Sequence, residues 1–314
     1  MAELRNRNRK GQGRRYTEME KTLAASLYHK SRRLYNFLRR FIRLPTWKTL
    51  KTYTKKASFH PGKNGAVIEL LTKMAGKFSS EEQQCVLILD EVSLKRRFYY
   101  DDASDQVNGY IDLGPDGRKA DPACHALVFL LQGIYSKWKI PVAYYLTGND
   151  LKAFELSRIT SAVLEAIAPT GMKVRVLISD GANVNKSMYK HLGCTENKPF
   201  FAFRWAKIFT MTDPSHLIKA PRNNLLTHVF LSNGIEVKWK YFEDFYNLDK
   251  TSPARIAPKL TDVHIRPDKL QRMRVKLPAQ ALSSSSAAGL FVLTKVGYLP
   301  PEAEETAQLF LKFD

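Results

Sequence analysis

The chain has 314 residues, 44% of them hydrophobic and 25% charged, and a formal net charge of +20. That length allows more than one domain, and the charge points to a polyanionic partner, most simply nucleic acid, against the plainer alternative of a generally basic, solvated surface. Cys85, Cys124 and Cys194 are far apart and lack CxxC spacing, which argues against a zinc cluster or disulfide framework and fits a reducing compartment; no apolar run approaches the roughly 20 residues of a membrane span.

The positive charge is an N-terminal feature. Residues 1–63 hold 18 Lys or Arg against three acids, Glu3, Glu18 and Glu20, whereas the remaining 251 residues hold 32 basic and 27 acidic side chains. The start, MAELRNRNRKGQGRR, has no apolar stretch of the signal-peptide kind and is expected as a basic disordered tail over 1–13, with a nuclear-import or DNA-contacting role as alternatives. Residues 14–57 read as helical. Thr17 and Glu20 have capping-box spacing, and Leu23, Leu27, Leu34, Leu38 and Phe41 recur at helical intervals. Pro45 interrupts, and Thr46 can cap a further helix from Trp47 that carries Lys48, Lys51, Lys55 and Lys56. A short basic helix after a tight break is what a helix-turn-helix offers the major groove; a small bundle with a solvated lysine face fits the same pattern.

Residues 58–84 read as a turn-rich linker, SFHPGKNG, and a helix ending near Gly76. From Cys85 the period changes. Apolar runs at 86–89, 107–113, 126–134 and 140–146 predict strands, the segment 149–171 an amphipathic helix with Leu156, Ile159, Val163 and Ile167 inward, and 173–178 another strand. This order predicts an α/β domain with a mixed sheet. Beyond Ile235 the signals are mainly helical, and SSSS at 283–286 lies within that helical context.

Two buried runs end on acids. Asp90 follows VLIL and Asp180 follows VRVLIS, at strand carboxyl ends, where open α/β sheets place ligands. If the strands are neighbours, the two carboxylates converge and need a compensating charge. A pair of Mg²⁺ ions, about 3.5–4 Å apart, would supply it and could activate water or a 3′-hydroxyl for phosphodiester chemistry. Strand-terminal aspartates also cap the following helix, and spacing alone leaves both readings open. Asp213 and Pro214 read as a helix N-cap and first helical residue, which leaves a metal or DNA role for His216 open.

LILDEVSLK, GYIDLG, KWKIPVAYYL, ISDGANVN, DPSHLIKAPRNNLL and RMRVKLPAQALS occur in this order. Together they resemble the P element transposase family, including its THAP-domain transposase-like members, from about Arg14 onward. The resemblance implies an RNase H-like core over 85–221 with a DDE-type acid triad, preceded by a helix-turn-helix region and interrupted by a helical guanine-nucleotide-binding insertion over 222–314. It implies Asp90 and Asp180 as the first two acids and metal ligands, Mg²⁺ and GTP as cofactors, Lys259 and Ser283 as guanine-nucleotide contacts, and double-stranded DNA (transposon ends and target) as partner. It also implies nuclear location and oligomeric assembly. The family's third acid, a Glu, finds no counterpart; Glu302, Glu304 and Glu305 are poor candidates. The chain is therefore expected to be a fragment, without the family's N-terminal zinc finger, whose incomplete insertion packs poorly near Thr306–Asp314. Pro221 and Pro278 depart from the family's helical pattern, and Pro221 is expected to break a helix. The competing expectation is a non-enzymatic DNA-binding protein derived from a transposase.

Overall fold

The computed structural model describes residues 2–10, 13–55, 60–101, 105–204 and 206–313. The chain divides into two compact units, Met1–Asn64 and Gly65–Asp314. The first contains α1 (Ala2–Asn6), α2 (Glu18–Lys30), α3 (Arg32–Leu38), α4 (Trp47–Lys55) and the two-residue strand β1 (Gly62–Lys63). The capping box at Thr17 is present: its hydroxyl accepts the Glu20 N–H and the Glu20 carboxylate accepts the Thr17 N–H. Ser31 separates α2 from α3 by capping both, its N–H donating to Leu27 and its hydroxyl accepting from Leu34. Thr46 caps α4 as expected, accepting from the Thr49 N–H at 3.2 Å.

The helical spacing of Leu23, Leu34 and Phe41 does not make them core residues; they are 62%, 51% and 69% exposed. The core is Ala24, Ala25, Tyr35 and Leu50, because alanine faces allow close helix approach and Tyr35 then spans the gap, donating its hydroxyl to the Pro45 carbonyl at 2.8 Å. Within the segment expected as a disordered tail, α1 is held by Asn6, whose amide donates to and accepts from the Arg15 backbone.

The second unit begins with α5 (Gly65–Ala75), followed by a mixed sheet of β2 (Gln84–Ser93), β5 (Tyr110–Asp112), β6 (Arg118–Pro122), β7 (His125–Gly133), β8 (Lys139–Thr147), β9 (Lys173–Ser179), β10 (Phe200–Phe203) and β11 (Ala206–Thr212). A small separate hairpin pairs β3 (Tyr99–Asp101) with β4 (Gln106–Asn108). Across the sheet the order is β10-β11-β9-β2-β7-β8-β5-β6. β2, β9 and β11 are mutually parallel and the other neighbours antiparallel. Parallel neighbours need crossovers; α7 (Asn183–His191) lies in the one between β9 and β11, and α6 (Ala153–Ile167) lies between β8 and β9.

The sheet core forms on one face. Cys85, Leu87 and Leu89 of β2 alternate inward, as do Leu127, Phe129 and Leu131 of β7, and they meet Leu71 of α5, Met188 of α7 and Leu156, Ile159, Val163 and Ile167 of α6. The predicted inward stripe of α6 is thus the observed one. Strands β10 and β11 were not expected from the sequence.

After β11 the chain enters a helical region: α8 (Pro214–Leu225), a hairpin of β12 (Phe230–Ser232) and β13 (Ile235–Val237), α9 (Trp239–Asp249), α10 (Asp262–Ile265), α11 (Lys276–Ala281), α12 (Ser284–Lys295) and α13 (Ala303–Leu311). Its core joins Leu225, Trp239, Phe242, Phe245, Ala287, Leu290, Ala307 and Phe310. Gly289 of α12 lies against the Phe245 ring so closely that a Cβ there would collide with it.

Contrary to expectation, α8 runs through Pro221. One i→i−4 hydrogen bond is lost there, but the Asp213 cap at one end and the burial of Arg222 and Leu225 at the other hold the helix. Pro278 lies in the first turn of α11, where no intrahelical N–H is required. Nor is the packing near 306–313 poor: Thr306, Ala307 and Phe310 are fully buried.

Candidate active site and nucleic-acid interface

β2 and β9 are parallel neighbours, with Leu87 opposite Leu177 and Ile88 opposite Ile178. Continuing that register by two residues brings Asp90 level with Asp180; contrary to expectation Asp90 lies inside β2, which runs on to Ser93, whereas Asp180 directly follows β9. Both carboxylates line one cavity of about 340 Å³, together with Glu91, Ser93, His125, Asn149 and Asn185.

The two readings of Asp180 left open by the sequence coexist. Its Oδ1 accepts from the Ala182 N–H at 2.9 Å and from the Asn185 side-chain amide at 2.6 Å, which caps the turn into α7. Its other oxygen has no hydrogen-bond partner among the described residues. Asp90 is similar: Oδ1 accepts the Glu91 N–H at 2.8 Å. Tyr189 of α7 braces this end of the sheet, its hydroxyl 2.7 Å from Ser179 Oγ and 3.3 Å from the Met211 carbonyl oxygen; burial pushes its phenol up to about 12. The Asp213 N–H donates to the Ser179 carbonyl at 2.7 Å, so α8 starts beside the same strand end.

Glu91, the second of the two acids on which the apolar run ends, lines the same cavity, although sequence reasoning assigned it no role. Burial raises its carboxyl above the usual range; His125 opposes that shift, and the negative fields of Asp180 and Asp90 add to it. His125, also missed, has Nδ1 3.2 Å from Cys124 Sγ, which in turn lies 3.1 Å from Asn149 Oδ1.

Among the described residues no Lys or Arg forms an ion pair with Asp90, Glu91 or Asp180, although the chain as a whole carries +20. The cavity offers hard oxygen donors, the set Mg²⁺ prefers, so these residues fit such an ion. Among the described residues no group of three His, Cys, Asp or Glu side chains is arranged to hold a metal, so the fit rests on the two aspartates. The C-terminal acids serve structure instead. Glu305 is buried and accepts from the Ser232 hydroxyl and the Asn233 amide, and Glu304 pairs with Lys295 at 3.1 Å.

Within the N-terminal unit, Lys48 and Lys51 are exposed on α4, with the Lys51 ammonium 5.9 Å from the Trp47 ring centroid. Lys55 ends the helix, and Lys56 lies outside the described residues. In the helical region, Lys259 is exposed on the loop before α10. Ser283 caps α12, accepting from the Ser286 N–H and donating to the Gln280 carbonyl. Neither lines the cavities bounded by Leu248, Leu293 and Tyr298 or by Tyr246, Asp262 and Arg266. His216 lies 4.0 Å from the Asp213 carboxylate in the first turn of α8.

Residues 59–193 match the family model for the TNP-like RNase H N-terminal domain, and residues 215–314 that for the TNP-like GTP-binding insertion domain. The chain is 26% identical over 304 residues to the Transposable element P transposase of Drosophila melanogaster, covering 96% of this chain and 38% of that one. It is 24% identical over 304 residues to the human DNA transposase THAP9, covering 91% of this chain and 32% of that one. It thus spans about a third of the length of these curated relatives. Among solved structures, the Drosophila P element transposase strand transfer complex matches with a TM-score of 0.80 and 26% identity, over 99% of this chain and 67% of that chain. The mixed sheet with acids at adjoining strand ends, followed by a helical domain, is therefore an RNase H-like fold with an inserted domain, of the kind transposases use. The chain belongs to the P element transposase family.

Proposed function

We propose that the protein acts as a DNA transposase of the P element type, cutting and joining phosphodiesters at transposon ends with Mg²⁺ and with GTP bound to its helical domain. The observation that supports this most is the β2–β9 register, which carries Asp90 and Asp180 to one cavity across 90 residues of sequence. In this reading the two aspartates hold the divalent ions, which when bound would activate the attacking oxygen and stabilise the leaving one. Tyr189 fixes the strand end that positions Asp180, and Lys48, Lys51, Lys55 and Lys56 neutralise DNA phosphates. Lys259 would pair with phosphate of the guanine nucleotide and Ser283 would contribute a hydrogen bond. DNA as substrate fits a nuclear location, and the solved relative's strand transfer complex supports assembly on DNA, for which we propose a homo-oligomer.

A specific observation favours a second reading, a DNA-binding protein that does not cut: among the described residues no third side chain joins the two aspartates in a metal group. A strand-cleavage assay with Mg²⁺, GTP and DNA bearing cognate element ends separates the two. The first reading predicts cleavage that vanishes in Asp90→Ala; DNA binding without cleavage in the unsubstituted chain would support the second.

A further inference from the structure

β2 ends at Ser93, which lines the cavity of Asp90 and Asp180. The chain then leaves the sheet as an arm, out along β3 and back along β4, and rejoins it at β5. Both roots of the arm are tied to one short segment: the Leu94 N–H donates to the Cys124 carbonyl at 2.7 Å, and the Gly109 carbonyl accepts from the Ala123 N–H at 2.8 Å. Cys124 directly precedes the cavity residue His125. Gly109, at φ 108°, lies so close to the Arg97 carbonyl that a Cβ would collide with it, and Phe98 packs on Tyr110 with ring centroids 4.5 Å apart. The arm is thus fixed at its base, beside the acids. Its outward side chains are of another kind. Lys95, Arg96 and Arg97 are exposed and form no ion pair among the described residues, whereas Arg118 and Lys119 of the edge strand β6 are paired with Asp112 and with Asp150 and Glu155. Tyr99 and Tyr100 are 54% and 56% exposed, and the Tyr100 hydroxyl donates to Asp105, which holds that ring in place. Three free cations followed by two exposed rings suit a single nucleic-acid strand, the cations for its phosphates and the rings for its bases. The cavity also calls for such a neighbour, since its carboxylates repel a phosphodiester and cations beside it offset that repulsion.

We propose that this arm holds single-stranded DNA flanking the phosphodiester at the cavity: Lys95, Arg96 and Arg97 neutralise its phosphates, and Tyr99 and Tyr100 stack on its unpaired bases. This rests on the reading of DNA as substrate. Within a duplex the base faces are already stacked on one another, so exposed rings gain contacts only where the strands have separated, whereas phosphate contacts alone carry no such discrimination. The arm acts apart from α4, whose lysines belong to the other compact unit.

The test is fluorescence anisotropy of a labelled single-stranded oligonucleotide, and of the same sequence as a blunt duplex, titrated with the full chain over a range of salt. Replacing Lys95, Arg96 and Arg97 with Ala should lower the log–log salt slope for the single strand by about 2, at about 0.7 per phosphate contact. Tyr99→Leu combined with Tyr100→Leu should weaken single-strand binding by about 5-fold or more at unchanged slope, and its unaltered duplex affinity shows that this variant is folded. If the tyrosine variant binds the single strand like the unsubstituted chain, or loses single strand and duplex alike, the single-strand role is refuted. If the Lys95, Arg96 and Arg97 variant keeps its slope while the α4 lysine variant loses it, the arm is refuted and the DNA reading stands. If the unsubstituted chain binds neither oligonucleotide, the DNA reading fails and the arm fails with it.

Discussion

The N-terminal helical unit and the sheet use apolar and charged residues in opposite ways. The helical unit rests on a thin core, Ala24, Ala25, Tyr35 and Leu50, and leaves Met19, Leu23, Leu34, Phe37, Phe41 and Trp47 largely exposed among many cations. The sheet buries Leu87, Leu127, Phe129, Leu131 and Leu177 completely and gathers acids, not bases, where β2 and β9 end. On the proposed function, the difference assigns each kind of chemistry to one region. Contact with a polyanion needs displayed charge on a small scaffold, whereas holding a small cation needs carboxylates fixed by deeply anchored strands.

That contrast can be broken by measurement. Leu87→Ala should cost about 2–5 kcal/mol, as filled-core truncations do, whereas Leu50→Ala should sit at or below the low end of that range, because its thin surroundings can collapse. Equal losses in denaturant unfolding would show the helical core to be as tightly built as the sheet. Replacing Lys48, Lys51, Lys55 and Lys56 with Ala should flatten the salt dependence of DNA binding by about 3–4 in log–log slope, at about 0.9 per phosphate contact. An unchanged slope would remove α4 from the interface. Gly289→Ala would extend the comparison to the helical region; the Phe245 ring must move, at about 1–3 kcal/mol, and a neutral result would mean that α9 and α12 are loosely packed. Smallest is Thr17→Ala, which should cost about 1 kcal/mol in the N-terminal unit alone, read as earlier local unfolding by hydrogen exchange. Lost protection in the sheet would contradict the division into two units.

Much of the sheet was legible because buried strands read as unbroken apolar runs. VLIL before Asp90 and ALVFLLQG in β7 could be little else, and the α6 stripe followed from its period. Strands β10 and β11 were not, since Phe200, Phe209 and Met211 point to a poorly covered face and blur the alternation of FFAF and AKIFTMT. In the N-terminal unit, large apolar residues at helical spacing mark the helices but not their buried face, because alanines do much of the packing. Asp90 and Asp180 could be found because each follows a buried apolar run, although β2 continues past Asp90 to Ser93. Glu91 stands beside Asp90 at the end of the same apolar run, but its place in the cavity depends on how the strands pair, which no single segment carries. Ser283 was singled out from resemblance; its hydroxyl is engaged in capping α12, a local role that the SSSS pattern also allows.

The central claim is that Asp90 and Asp180 form one cation site. Calorimetric titration of Mg²⁺ into the unsubstituted chain, Asp90→Asn, Asp180→Asn and the double variant tests it most directly, since asparagine preserves the Asp180 cap while removing its charge. If the two act as a unit, either single substitution removes nearly all binding heat and the double variant is no worse. Single variants that each retain normal binding, or losses that simply add, would contradict it.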